Sequence, residues 1–478
     1  MKRIRLFLAN IGVRTRTYPL VVPPLGLLSI AAHVRAKLPV DIMVVNQRLD
    51  NLTSLELVRL AVDFGADVVG FSSFTTAAHA LPLLAEQTRA ALPKALILLG
   101  GPHAAAVRGA VLEATCADAV VPGEGEVATE MILQAWAGGG RDFGGIPGIA
   151  WRNDLGELVQ NPGTPPLVEN LDDIPMPAYD LIDLPRYWKV QSSAPVYRRR
   201  YAPLVTSRGC PYHCIWCHKI FGKTIRMLSP GRVVEELARL QKTYGISDFE
   251  FCDDNFNFRP KRVLEICELL KKSGVKTRMA FPNGLRADLL SGEVIDAMVD
   301  AGMYQCSLAL ETGSPRLQKF TAKVMDIPKL LAHAEYITSK RVYTNLFCMM
   351  GFPTETEEEI RETINIACNS AFHTASFYTV TPFPGTALYD IVQRDHPEKI
   401  ANMRYDDMDF SGMRVNLTDL PDARLFYYQR LALRRFYMNP LRITRLIRCH
   451  PQPWLLPAYV PIFLYRATKG VLPARGRA

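Results

Sequence analysis

Short apolar runs alternate with amphipathic helical stretches through most of this chain, and they do so in two blocks. In residues 3–139 the runs are Ile4–Leu8, Asp41–Val45, Asp67–Phe71, Ala95–Leu99 and Ala117–Val121. Helical patterns lie between them, among them Pro24–Leu38, with proline in its first turn, and His79–Leu92. Five such alternations predict an α/β unit: a doubly wound, Rossmann-like parallel sheet of five strands with helices on both faces. From about residue 200 to 386 the alternation recurs six times, with candidate strands Ala202–Val205, Asp248–Cys252, Thr277–Phe281, Gln305–Leu310, Thr344–Met350 and Ser376–Thr381. Six strand–helix units predict a partial (β/α)6 barrel, whose ligands gather at the carboxyl ends of its strands.

Residues 140–198 differ from both blocks. Gly138-Gly-Gly leads into a hairpin around Asn153–Gly156, and Pro162, Pro165, Pro166, Pro175 and Pro177 mark an extended connector lying over the surfaces of the two units. The chain therefore divides into residues 1–139, a linker at 140–198, a barrel at 199–395 and a helical extension at 396–478.

Charge separates the extension from the rest. Lys and Arg total 56 against 47 Asp and Glu, a net of +9. From Arg424 to Ala478 there are eleven basic residues and no acidic one, while the first 423 residues hold 45 basic and 47 acidic. A general affinity for nucleic acid is excluded, because it needs basic residues spread over the folded surface. Arg442, Arg445 and Arg448, three apart, share one side of a helix, with Ile443, Leu446 and Ile447 largely on another. The following Pro451–Tyr465 is uncharged and rich in Trp, Phe and Leu. This combination reads as a peripheral membrane contact through 424–478; the alternative is a helix packed on the barrel with its arginines solvated. No export signal or span is legible: Tyr18–Val34 is uncharged but short and interrupted by prolines. A cytosolic location is expected, in which ten cysteines are thiols or metal ligands rather than disulfides.

The candidate strand ends of the first block carry Asn10-Ile-Gly12, Phe71-Ser-Ser-Phe-Thr-Thr, Gly100-Gly-Pro-His103 and Val121-Pro-Gly-Glu-Gly-Glu. Glycines and small hydroxyls let a large ligand approach the backbone, although each loop alone would pass for an ordinary turn. His79 and His103 read as hydrogen-bonding residues rather than metal ligands. The most informative passage is Thr206-Ser-Arg-Gly-Cys210-Pro-Tyr-His-Cys214-Ile-Trp-Cys217-His-Lys, directly after a candidate strand. Three thiolates can converge on one metal centre. With His213 or His218 they would make a four-ligand zinc site; alone they suit a 4Fe-4S cluster with one iron left open. Cys116, Cys252, Cys267, Cys306, Cys348, Cys368 and Cys449 read as small packing residues, with Cys252 and Cys348 close to strand ends.

The three-cysteine passage, with Trp216 before its last cysteine, is similar to that of the radical S-adenosylmethionine (SAM) enzymes. That resemblance implies SAM contacts from Trp216 and from the strand ends: Asp253, Asp254 and Arg286 near the methionine end, Glu311 and Ser314 near carboxylate or ribose, and Gly351 and Gly385 along the adenine. The first block, ending in Gly-Glu-Gly-Glu, together with this barrel resembles the cobalamin-binding class of those enzymes over roughly residues 1–390. By that resemblance cobalamin would lie against Asn10, Gly12, Ser72, Ser73, Thr75, Gly100, Gly101, His103, Gly123, Glu124 and Gly125. The Asp-x-His-x-x-Gly loop that supplies a cobalt ligand in some such domains is absent. The activity implied is methylation of an unactivated carbon of an apolar substrate (lipid, isoprenoid or tetrapyrrole-like) or of a secondary metabolite. A reducing partner such as flavodoxin or ferredoxin would feed it. Oxidative ring closure on the same scaffold is the alternative, and a non-catalytic metal or electron-transfer module is the alternative of another class.

Overall fold

The computed structural model describes residues 3–15, 19–194, 196, 199–218, 220–401, 403–406, 415–458 and 460–461. The five strands of the first block form as β1 (Ile4–Asn10), β2 (Val40–Asn46), β3 (Val68–Ser72), β4 (Leu96–Gly100) and a short β5 (Ala119–Val120). They are parallel, in the order β2-β1-β3-β4-β5. Alternate side chains of β1 serve two cores. Leu6 and Leu8 pack in the cluster that holds Leu28, Ala31 and Ile132, whereas Phe7 and Ala9 pack in the one that holds Leu57 and Leu84. Burial on both faces is why these strands read as continuous apolar runs.

The sheet does not stop at five strands. The hairpin around Asn153–Gly156 forms β6 (Ala150–Arg152) and β7 (Leu158–Gln160), and β6 pairs antiparallel with β5 to give seven strands. Residues 150–160 therefore belong to the first unit and not to a linker. The proline-rich segment after it is not a surface strap either. Leu171, Ile174, Ala178, Tyr179 and Leu184 are buried in the same core as Leu28 of the first unit and Leu204 of the second. The prolines keep the backbone extended, and the apolar residues between them turn inward. The Tyr179 hydroxyl donates to the Pro203 carbonyl, pinning the segment to the first barrel strand.

The second unit begins with β8 (Tyr201–Leu204). A small antiparallel pair, β9 (Ser207–Arg208) and β10 (Arg226–Met227), closes the base of the cysteine loop. Then follow β11 (Asp248–Phe251), β12 (Arg278–Leu285), β13 (Met303–Glu311), β14 (Tyr343–Met350) and β15 (Thr374–Thr379). The six long strands form one parallel sheet ordered β8-β11-β12-β13-β14-β15, an incomplete barrel. The helix Asp422–Tyr437 closes its flank through buried Leu425, Tyr428, Ala432 and Phe436. The last long helix, Pro440–Cys449, follows. Both readings of the tail placed its three arginines outward, but Arg442 is only 1% exposed. Its guanidinium lies 3.7 Å over the Phe436 ring and donates to the carbonyls of Cys368, Ser370 and Phe372. The stretch 462–478, with Phe463 and Leu464, and Tyr459 lie outside the described residues.

Candidate active site between the two units

The cysteine loop spans residues 209–225 between β9 and β10. Gly209 opens it at φ +90°, and a Cβ there would stand 2.3 Å from the Thr224 carbonyl oxygen, so only glycine fits. The Cys210 amide donates to the Gly222 carbonyl, and the Cys217 amide to that of Cys214. Ile215 is tied to Thr321 and Leu388 through backbone bonds, and Trp216 packs edge-on against Phe352 at 5.7 Å. Burial raises the Cys214 thiol above its ordinary pKa, while Lys323 and Arg286 pull it down. Two cations therefore act on the Cys214 thiol, and Lys323 acts on that of Cys217 as well. His213 and His218 are exposed, and His218 stands beside Asp254.

The barrel strand ends separate into those that frame this loop and those already committed elsewhere. The Asp253 carboxylate accepts bonds from the Thr206 amide, the Thr206 hydroxyl and the Ser207 hydroxyl, so it fixes the turn that leads into β9. Arg286 bonds Asp288 and the Lys323 carbonyl and lies 3.5 Å over the Tyr212 ring. Glu311, at φ +63°, is buried 3.5 Å from Lys323, and burial raises its pKa. Ser314 caps the helix Pro315–Phe320 and donates to Glu359 at 2.6 Å; its hydroxyl is occupied structurally. Gly351, at φ +96°, donates its amide to Glu355. Gly385 faces the first unit, where a Cβ would come 2.9 Å from Cβ of Ala106.

On the first unit the strand-end loops line two adjoining cavities. A narrow one of about 160 Å³ is lined by Ser72, Gly100, Gly101, Gly123, Glu124 and Gly125, and on the barrel side by Arg208 and Phe221. A wide one of about 880 Å³ takes in Asn10, Thr75, Gly123 and Glu124, and from the barrel Trp216, His218, Phe383 and Gly385. Gly12, Ser73 and His103 line neither. The Gly12 amide bonds Gln47, the Ser73 amide bonds Gly100, and His103 stands 3.4 Å from the Thr75 hydroxyl, its pKa lowered by burial. His79 also lies outside both cavities.

Glu124 does more than line a cavity. Arg208, two residues before Cys210, donates to Glu124 at 2.6 Å, to Glu126 at 2.7 Å and to the Ser29 hydroxyl at 3.0 Å. Arg226, its partner across the β9–β10 pair, also bonds Glu124 and reaches the Val168 carbonyl. Burial alone would raise the Glu126 carboxyl, but Arg208 and Ser29 hold it below its ordinary value. This clamp joins the cysteine loop of one unit to the glycine loop of the other. Both arginines stand in or beside motifs visible in the sequence, but their partners lie more than 80 residues away in the chain.

The B12 binding domain model matches residues 11–133, and that of the radical SAM superfamily matches residues 204–367. An uncharacterized methyltransferase of Pyrococcus horikoshii is 31% identical over 371 residues, 77% of this chain and 78% of that one. The chain belongs to the B12-binding radical SAM family. Within that family, the cytidylyl-2-hydroxyethylphosphonate methyltransferase of Streptomyces wedmorensis is 29% identical over 368 residues, covering 70% of this chain and 68% of the other. The fold is shared with the cobalamin-dependent SAM radical enzyme OxsB, whose structure with aqua-cobalamin and SAM superposes at a TM-score of 0.74. That likeness, at 15% identity, covers 97% of this chain and 72% of that one. A 4Fe-4S cluster, SAM and cobalamin are the cofactors of this family enzyme.

The residues fit those groups. Cys210, Cys214 and Cys217 share the one loop between β9 and β10 and are all free thiols, the donor type that iron–sulfur clusters take. Gly26, Gly70, Gly100, Gly101, Gly123 and Gly125 are among the residues lining the narrow cavity, and at these positions a bound group can approach the backbone. At Gly101, φ +86°, a Cβ would meet the Ser72 hydroxyl at 2.7 Å. No helix among the described residues is long and apolar enough to cross a membrane.

Proposed function

We propose that this family enzyme is a C-methyltransferase that replaces hydrogen by methyl on an unactivated carbon of an apolar substrate held in the wide cavity. The observation that carries the reading is the placement of that cavity. It is bounded on one side by the strand-end loops of the B12 unit and on the other by Trp216 and His218, which flank Cys217. Leu20, Val21, Val22, Phe74 and Phe383 give it an apolar wall. Cys210, Cys214 and Cys217 are assigned as the cluster ligands.

When bound, the cluster and corrin supply the radical and methyl-transfer chemistry that no acid or base side chain could. The chain positions and shields. Lys323 and Arg286 offset the negative charge of the Cys214 thiolate, and the Trp216–Phe352 contact holds the apolar edge of the loop. The reaction balances as follows. The substrate C–H becomes C–CH3, one SAM leaves as S-adenosylhomocysteine, and a second leaves as methionine and 5′-deoxyadenosine, which takes the hydrogen. Two electrons come from a reducing partner of the flavodoxin or ferredoxin type.

Anaerobically purified protein reconstituted with iron, sulfide and hydroxocobalamin tests the reading. It is expected to retain iron, sulfide and corrin absorbance after desalting. With methyl-labelled SAM and extracts of lipids and pigments, label is expected in a product one methylene heavier. Zinc without sulfide, or S-adenosylhomocysteine formation with no label in any extracted product, overturns it.

A further inference from the structure

Over residues 438–460 six large apolar side chains are exposed: Met438 (69%), Leu441 (76%), Ile443 (43%), Ile447 (52%), Trp454 (70%) and Val460 (51%). In the helix Pro440–Cys449 the exposed positions occupy one arc. At 100° per residue, Ile443, Ile447, Thr444, Arg448 and Leu441 follow one another around the side turned from the barrel. Arg442 on the other side is the anchor, donating to three carbonyls at the end of the preceding barrel helix and its loop. The outward face is therefore rigidly presented rather than fraying. Arg434, Arg435 and Arg448 are exposed around it.

We propose that this face docks the enzyme on an anionic lipid bilayer. From Arg424 to the last residue there are eleven basic side chains and no carboxylate; Arg424 pairs with Glu357 of the barrel and Arg442 is buried, while Arg434 and Arg448 stay exposed. A bilayer surface complements both halves of the pattern. Anionic headgroups take the arginines, and the acyl boundary takes the apolar side chains, with an indole at the depth where indoles settle. A second copy of the chain complements it poorly, since a two-fold contact across this face would set arginine against arginine.

The face lies at the end of the barrel remote from the cysteine loop. At the start of the helix Asp422–Tyr437, Leu425 reaches Gly351, at the carboxyl end of β14. At its other end the Tyr437 hydroxyl bonds Ala375, near the amino end of β15. Docking is thus separable from the cofactor sites, and the variants below touch none of the residues placed there.

The test is flotation of the purified full chain with vesicles of phosphatidylcholine containing phosphatidylglycerol, against phosphatidylcholine alone. Binding is expected only to the anionic vesicles and is expected to fall as salt rises. R434Q/R448Q is expected to weaken it more than about tenfold. L441S/I447S/W454S is expected to abolish it, with unchanged melting temperature and cofactor content for both variants. No flotation with anionic vesicles overturns the proposal, as does flotation of either variant at the wild-type level. A wild-type dimer on gel filtration that L441S/I447S/W454S converts to monomer, without vesicle binding by the wild type, would assign the face to self-association instead.

Discussion

Arg208 of the barrel, two residues before the first cysteine of the cysteine loop, forms a buried ion pair at 2.7 Å with Glu126 of the B12 unit. The pair is fully supported by Ser29 and by the second bond from Arg208 to Glu124. It makes the position of the cysteine loop depend on the unit that binds the corrin.

Removing one partner of a buried pair strands the other. R208M is expected to cost about 3 kcal/mol of unfolding free energy in urea titration, and R208K to recover only part of it because one ammonium cannot serve two carboxylates in a fork. A loss under about 0.5 kcal/mol would show that the clamp contributes little.

The same pair sets an acid limit. Glu126 is depressed in the folded protein, so its stabilisation is present above its ordinary value near 4.5 and is lost as pH falls below it. The melting temperature of the wild type is expected to fall through that window, and that of E126Q to change less.

Glu355 works with the opposite sign. Burial pushes its carboxyl up to about 8 despite bonds from the Gly351 and Phe352 amides. Between about 4.5 and 8 the unfolded chain ionises while the folded one does not, so this residue costs stability progressively as pH rises through that range. E355Q is expected to flatten the decline, by an amount on the order of a few kcal/mol at the alkaline end. Parallel curves for the two proteins in thermal melts would refute the assignment.

The cysteine loop is expected to be intolerant at two places for different reasons. C214A removes a thiolate and is expected to lower bound iron and abolish 5′-deoxyadenosine formation while the chain stays folded. G209A places a methyl against the Thr224 carbonyl at a positive φ. It is expected to destabilise by about 1–3 kcal/mol and to lose iron as well. Unchanged iron content in G209A would show that the loop adapts.

Local pattern carried much of this far. Strand and helix order, the hairpin, and the spacing of Cys210, Cys214 and Cys217 all depend on neighbours in sequence, and each was legible there. What was not legible depends on distant partners. Glu124 sits in a glycine loop that suggests a ligand contact, but two arginines 84 and 102 residues away claim it. Ser314 looks free for a ribose until Glu359 is brought beside it. Arg442 shares spacing with Arg445 and Arg448, yet only the fold shows that three carbonyls await it. Proline density likewise marked the run from Pro162 to Pro177, within the 140–198 linker, as a connector without showing that Leu171 and Ile174 there are buried.

Apolar packing runs without a break from Leu28 through Ala178 and Tyr179 to Leu204. A lobe-on-lobe swing would tear that interior and wet it, so it is a costly way to admit a substrate. The wide cavity is lined from both units, by Phe74 of the first and Phe383 of the second among others. Substrate is therefore expected to reach that cavity with the two units held together.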